Sequence, residues 1–301
     1  MAVSTKIIKK RIRSIGNTKK ITRAMEMVAA TKMRKAVNAV LASRPYAFDI
    51  WAMVMNLISR LEIKKHPLLT PKSEAKKVAI ILVTSNRGLC GGFNSQIVSR
   101  ALKLADQAET AVEWLAIGRW GAEFLARSGK KLVAVFEKPD VILTTSEISA
   151  LVKAVTGSFV DGTYQKVFVA YTDFYSALVQ KPRLKQLLPL EPLADAELGQ
   201  VGQASAPQPA AEKNFEYLFE PTPQIVFNEL LPHLVTVQLY QAMLESTASE
   251  HSARMMAMKN ATNAAADMID DLTLAFNQAR QAAITREIAE ITGGKAALEA
   301  A

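Results

Sequence analysis

The stretch of this sequence that is most typical of a chemical site is TSNRGLCGGFN, at residues 84–94. It follows the apolar run VAIILV at 78–83 and leads into a segment with helical character. A strand, a glycine-rich turn and a helix N-terminus together make a phosphate-binding loop, because backbone N–H groups at that turn point towards an anion. The first question is therefore whether the chain binds a nucleotide and is an enzyme.

The residue types in this loop do not complete a phosphate site. A P-loop needs a lysine for the phosphates and a hydroxyl for magnesium after its last glycine. Here Gly91 and Gly92 are followed by Phe93 and Asn94, and the dinucleotide fingerprint G-x-G-x-x-G is not matched either. A strand-to-helix turn whose glycines supply positive φ accounts for the pattern. Nucleotide binding is kept as an alternative.

The remaining chemistry-bearing residues form no recognisable constellation. The histidines at 66, 233 and 251 are too scattered for metal-ligand spacing, and no G-x-S-x-G motif is present. Cys90 is the only cysteine, so an internal disulfide is excluded and a reducing compartment is favoured. We therefore expect no catalytic residue, no cofactor and no metal site in this chain.

Charge is concentrated at the N-terminus. The net charge of the chain is +9, and residues 1–44 carry twelve Lys/Arg against the single acid Glu26, which makes that segment +11. Residues 45–301 together are therefore −2. Such a basic element seeks a polyanion, an acidic protein surface or anionic lipid, so a coiled-coil nucleic-acid binder is a second alternative.

Long helices are predicted at both ends of the chain. The first runs from about Ser4 to Leu61, and Pro45 is expected to kink it or to divide it in two. The second runs from Pro232 to a stop at Gly293, with no Gly or Pro between them. Apolar and small residues recur in both at alternating steps of four and three. In the first helix this seam is Ile8, Ile12, Ile15, Lys19, Thr22, Glu26, Ala29, Met33, Ala36 and Val40.

The matching rhythm predicts that the two helices pair as an antiparallel coiled coil. Between them, short apolar runs alternate with helical stretches, which indicates an α/β domain with a mainly parallel sheet and a further edge strand near 184–190. The predicted domains are a coiled-coil helix at 1–62, a Rossmann-like α/β domain at 76–215 and a foot plus coiled-coil helix at 216–301. Residues 191–214 are interpreted as a mobile loop inside the α/β domain.

Three motifs carry a resemblance to a known family. NTKKITRAMEMVAATKMRKA (17–36), the loop at 84–94, and SEHSARMMAMKNATNAA (249–265) continuing to NQARQAAITREIAEI (277–291) together resemble the gamma subunit of F-type ATP synthases. The resemblance covers nearly the whole chain. It implies a rotor shaft without chemistry of its own, which couples rotation of an ion-driven c-ring to ATP synthesis or hydrolysis on an alpha3beta3 ring.

The resemblance also implies partners for particular residues. Met25 and Arg254 match a pair facing the moving acidic segment of beta, and Cys90 matches a position against the same lever. Arg280, Gln281, Thr285 and Glu287 match an upper contact with a beta loop. Tyr217 and Glu220 match the foot on the polar loops of the c-ring.

The implied partners are therefore the alpha3beta3 ring, the epsilon subunit and the c-ring, with no nucleic acid and no small-molecule substrate. The single cysteine excludes the dithiol insertion of chloroplast members, and the N-terminus shows no presequence. We accordingly expect a bacterial protein, peripheral on the cytoplasmic side of the cell membrane as part of the ATP synthase.

Overall fold

Long helices open and close the chain, with an α/β segment between them. The computed structural model describes residues 5–60, 66–72, 75, 77–108, 110–140, 144–190, 219–220 and 222–299. The elements are α1 (Thr5–Arg60), β1 (Lys77–Val83), α2 (Phe93–Gln107), β2 (Ala111–Ile117), α3 (Arg119–Arg127), β3 (Leu132–Phe136), a 3₁₀ turn (Thr145–Ile148), α4 (Ser149–Val160), β4 (Lys166–Phe174), β5 (Gln180–Leu188) and α5 (Pro223–Glu299).

Helix α1 has close to its predicted bounds, whereas α5 is longer than the sequence predicted. Helix α1 continues through Pro45, so the prediction that this proline divides it in two is wrong. A proline inside a helix costs about 3 kcal/mol. Beyond it, however, Ile50, Val54 and Leu57 are all buried, and their packing offsets that cost.

Helix α5 likewise contradicts both of its predicted ends. It begins at Pro223 rather than Pro232, because proline fits the first turn, where its missing N–H has no helical partner. The hydroxyl of Thr222 accepts the N–H of Ile225 at 3.4 Å, as an N-cap does. At the other end α5 passes the glycine at 293 and runs to Glu299, because the residues after the glycine pair are good helix formers.

The chain divides into two units. The helical-pair unit is Met1–Val28 with Met255–Ala301, and the sheet unit is Ala29–Arg254. The predicted boundaries at 62, 76, 215 and 216, and the predicted loop at 191–214, lie outside the described residues and stay untested.

In the helical-pair unit the two helices bury part of the predicted α1 seam, whereas its members Ile12, Ile15 and Lys19 are half-buried. Ile8, Thr22, Met258, Thr262 and Ala265 are all buried, and the hydroxyls of Thr22 and Thr262 lie 2.8 Å apart. Every residue from 281 to 293 is exposed, so this unit leaves the C-terminal part of α5 uncovered.

The sheet unit has three layers. Its five strands lie in the order β3-β2-β1-β4-β5, parallel except for the antiparallel pair of β4 with the edge strand β5. This confirms the predicted mainly parallel sheet and its extra edge strand. Strand β1 alternates between two cores: Ile81 and Val83 pack with α1, α4 and α5, whereas Ile80 and Leu82 pack with α2 and α3. Burying each such side chain stabilises the fold by about 1.5–3 kcal/mol.

Within the sheet unit α1 and α5 run antiparallel against one face of the sheet. Ser43 donates to Gln241 at 2.8 Å, and Tyr46 lies 2.8 Å from the ring of His233, so rising residue numbers on α1 meet falling numbers on α5. The paired terminal helices that the sequence predicted are therefore confirmed, and here they form the third layer of the sheet unit.

Candidate functional site: the carboxyl edge of the sheet

The glycine-rich loop closes on itself through two side chains. Asn94 accepts the N–H of Ser85 at 3.0 Å and donates its own Nδ2 to the Ser85 hydroxyl at 2.7 Å. That hydroxyl in turn donates to the carbonyl of Arg87 at 2.7 Å. Leu89 and Gly91 adopt positive φ, of 63° and 56°, which lets the chain reverse within this short span. The loop therefore uses polar groups of its own where a phosphate loop would present them to a ligand.

Cys90 points into this turn. Its side chain is 2% exposed, with Asn94 Nδ2 at 3.4 Å and Ser85 Oγ at 3.8 Å from its sulfur. The neighbouring Leu89 is 62% exposed and forms the surface of the loop. The predicted contact of Cys90 with a beta subunit is untested. A contact at this loop would be made first by Leu89.

Arg254 joins helix α5 to the same loop. Its Nη2 donates to the carbonyl oxygens of Arg87 at 3.1 Å and of Gly88 at 3.4 Å. Its Nη1 donates to Glu250 Oε1 at 2.8 Å, one helical turn earlier. The Arg254 side chain is only 13% exposed, so most of its hydrogen-bonding capacity is spent within the chain.

Glu250 is the centre of a buried ionic network. Its second oxygen accepts Lys138 Nζ at 2.5 Å, and the Lys138 side chain is 2% exposed. Burial alone would raise the pKa of Glu250, but the charges of Lys138 and Arg254 outweigh burial, so that the pKa lies below its usual value. The carboxylate is therefore ionised and holds two cations at once.

A second branch of contacts joins α1 to the network. His251 Nε2 lies 2.9 Å from the carbonyl of Asp140, and Lys32 Nζ donates to the Asp140 carboxylate at 2.6 Å. The hydrogen bond from Lys32 lowers the pKa of Asp140, and burial lowers that of His251. A neutral His251 that donates from Nε2 fits both the carbonyl beside it and the Arg254 guanidinium 3.4 Å from its Nδ1.

Sequence reasoning missed most of this network. It selected Cys90 and Arg254, and the structure brings Arg254 onto the loop that contains Cys90. It did not select Lys32, Lys138 or Glu250. The one available signal was the Glu250–Arg254 spacing of four on a helix, which is the spacing of an ion pair.

The other predicted contact residues lie away from the network. Met25 is half-buried on α1 in the helical-pair unit, and Glu220 is exposed just before α5. Tyr217 lies outside the described residues. The predicted upper contact is a set of exposed side chains on the last part of α5, namely Arg280, Gln281, Thr285 and Glu287. Their roles are not tested by the structure of the isolated chain.

Within the described residues, no group of three or more His, Cys, Asp or Glu side chains is placed to hold a metal ion. None of the helices searched in that same part of the chain is both long and apolar enough to span a membrane. A depression of about 350 Å³ lies between α2 and α3 and is lined by Ser99, Trp120 and Phe124.

Comparison with known proteins gives consistent matches over the full length. A family model described as ATP synthase matches residues 4–298. The ATP synthase gamma chain of Heliobacterium modesticaldum is 43% identical over 291 residues, which cover 97% of this chain and 98% of the relative. That of Roseiflexus castenholzii is 42% identical over 299 residues and covers 98% of each chain.

Solved structures give the same match at the level of the fold. A chain of the central stalk and c-ring of the Tetrahymena thermophila mitochondrial ATP synthase is 26% identical, with a TM-score of 0.60 over 80% of this chain and 99% of that one. A chain from the Euglena gracilis mitochondrial ATP synthase is 14% identical, with a TM-score of 0.66 over 98% of this chain and 95% of that one, and shows the fold alone.

Proposed function

The chain belongs to the family of ATP synthase gamma chains, the rotor subunit of the central stalk, and we propose that it acts as a shaft whose unequal sides set the states of the catalytic subunits around it. It is a non-catalytic subunit of the enzyme. It acts through contacts that change with the rotation angle of the shaft. At each angle, these contacts stabilise a different conformation of the subunit that the shaft faces.

The observation that supports this proposal is which groups bind at the carboxyl edge of the sheet. In open α/β sheets this edge is where ligands bind. Here Arg254 and Glu250 of α5 lie against the loop at that edge, with Lys138 between the carboxylate and the end of β3. In this protein, side chains of α5 are thus bonded to the edge of the sheet at which α/β enzymes bind a ligand. A helix fixed to this edge suits a mechanical subunit.

The proposed partners are assigned by position. The alpha3beta3 ring would contact Met25, Arg254 and the loop that contains Cys90, and its upper part would contact the exposed set Arg280, Gln281, Thr285 and Glu287. The foot, with Tyr217 and Glu220, would meet the c-ring, and the epsilon subunit would bind beside it. The Tetrahymena chain comes from an assembly of the central stalk and c-ring, which supports association with that ring.

We also propose where this assembly lies. The chain would be peripheral on the cytoplasmic side of a bacterial cell membrane and held there by the c-ring. The curated relatives reported above are bacterial, which supports this placement.

Reconstitution tests the proposed function. Vesicles are prepared with all other subunits of the ATP synthase, with and without this chain, and both ATP hydrolysis and ATP-driven ion uptake are measured. The purified chain alone should hydrolyse no ATP, and ion uptake should depend on its presence. Ion uptake at an undiminished rate without the chain would contradict the proposal.

A further inference from the structure

We propose that Glu250 is a positioning residue that holds the loop of residues 84–94 against α5, so that loop and helix turn as one body. This inference rests on the proposed rotor function and adds to it the group through which the loop is fixed. All of the contacts involved lie within the sheet unit.

The loop is held from two sides, and both holds converge on Glu250. On one side Arg254 donates to the carbonyls of Arg87 and Gly88, and Glu250 Oε1 orients its guanidinium. On the other side Asn86 Nδ2 donates to the carbonyl of Lys138 at 2.6 Å, and Glu250 Oε2 fixes the ammonium of the same lysine. One carboxylate therefore orders both anchors.

This arrangement depends on the Glu250 carboxylate, because the two cations that it binds are buried. The side chains of Lys138, Glu250 and Arg254 are 2%, 10% and 13% exposed. Removing the negative charge would leave two cations close together with little water around them, so each would move towards solvent. Because Arg254 and the backbone of Lys138 hold the loop, that movement would release it.

An ionic contact also suits the mechanical task better than an apolar one. Apolar packing is non-directional and tolerates sliding of one surface over another. Charge-assisted hydrogen bonds have preferred distances and angles, and a planar guanidinium fixes its acceptors in one plane. Helix α5 and the loop are therefore kept in register by the network.

The first experiment uses Glu250→Gln in the purified full-length chain. Cys90 is the only cysteine and is buried in the loop, so its labelling rate with a maleimide reports opening of the loop. Loss of one charged hydrogen bond should make labelling roughly tenfold faster. Lys138→Gln should do the same, whereas Lys138→Arg, which keeps the charge, should label at close to the wild-type rate.

The second experiment measures coupling in the assembled enzyme. Vesicles that contain Glu250→Gln should move fewer ions for each ATP hydrolysed, with a decrease of about twofold or more. ATP hydrolysis should continue, because the catalytic sites lie on other subunits. If coupling and Cys90 labelling are both unchanged in Glu250→Gln, the inference is overturned while the rotor function stands.

Two control variants separate a positioning role from general destabilisation. Asp106→Asn makes the same acid-to-amide change in an exposed pair with Lys130 and should alter neither readout. Val155→Ala opens a cavity in α4, away from the loop, and lowers the melting temperature without touching the network. If Val155→Ala reproduces the fast labelling and the lost coupling, the effects of Glu250→Gln come from global stability and the inference fails.

Discussion

At the scale of single residues, the sheet unit buries an unusual number of polar groups beneath α5. Glu245 is fully buried, its Oε1 accepts Gln241 Nε2 at 2.9 Å, and a side-chain hydrogen bond links it to Asp173. Burial, together with the nearby charge of Asp173, raises the pKa of Glu245 to about 8. Glu245 is therefore a carboxylic acid that stays protonated at neutral pH.

This raised pKa predicts a pH-dependent stability. Between the ordinary value of 4.5 and about 8, the folded chain binds a proton at Glu245 that the unfolded chain has lost, so stability falls as pH rises through that window. The loss is at most about 1.4 kcal/mol for each pH unit. Glu245→Gln removes this dependence, so the variant should gain stability relative to wild type as pH increases.

Urea unfolding of the full-length chain at pH 5.5 and 8.5 would measure the effect. Glu147→Gln, an exposed acid in the 3₁₀ turn, is the matched control and should differ from wild type equally at both values. A stability gap between Glu245→Gln and wild type that is constant with pH would show that Glu245 titrates normally.

At the scale of elements, close packing at the end of β1 decides where α3 begins. A Cβ on Gly118 would lie 2.4 Å from the carbonyl oxygen of Thr84, and Gly118 has a φ of 95°. Gly121 donates its N–H to the Thr84 hydroxyl at 3.0 Å, and a Cβ there would meet the same side chain. Both glycines therefore let α3 approach the strand that leads into the loop.

Gly118→Ala should destabilise the chain by about 3 kcal/mol or more, because the new methyl group meets backbone and the φ is unfavourable. Gly16→Ala is the matched control. A Cβ on Gly16 would have open space, and the residue lies inside α1, so alanine should stabilise by about 0.5–1 kcal/mol. Thermal unfolding of both variants would check the opposite signs, and an equal loss in both would contradict the steric argument.

The elements were largely predictable from local pattern, whereas the network was not. The run at 78–83 predicted β1 because strands buried on both faces have continuous apolar runs. The division of α1 at Pro45, one of the two predicted alternatives, does not occur because tertiary packing outweighs a local helix breaker. Lys138 and Glu250 are 112 positions apart, so nothing in the local sequence of either one predicts their ion pair.

At the scale of the whole molecule, residues 281–293 of α5 contribute nothing to the buried core of their own unit. Because all residues from 281 to 293 are exposed, removing residues 281–301 should leave the melting temperature of the purified chain within about 2 °C of wild type. By contrast, Met258→Ala truncates a buried side chain of the helical pair and should lower it clearly.

The same deletion should lower ATP-driven ion uptake in the assembled enzyme, because the proposed upper contact with beta lies in the deleted segment. Scanning calorimetry and vesicle uptake measure the two effects separately. A deletion that unfolds the purified chain would contradict the view that this segment waits for a partner.

The charge of the basic N-terminal helix can also be interpreted at the scale of the whole molecule. Membership of the gamma-chain family makes a nucleic-acid-binding function unnecessary to explain the +11 charge of residues 1–44, since an acidic protein surface is an equally suitable partner. The concentration of charge was predictable from composition, whereas an acidic protein partner is only implied by the resemblance.

The pairing of α1 with α5 over one face of the sheet also governs how the protein must be made. Ser43 and Gln241 are 198 positions apart, so the apolar face that contains Ile81 and Val83 has its full cover only after residues near 241 have left the ribosome. Until then, the nascent chain carries a finished sheet with an uncovered side, which is the kind of intermediate that chaperones bind. The α5 segment that completes this cover is thus synthesised after the sheet, and translation itself sets the time at which the core can close.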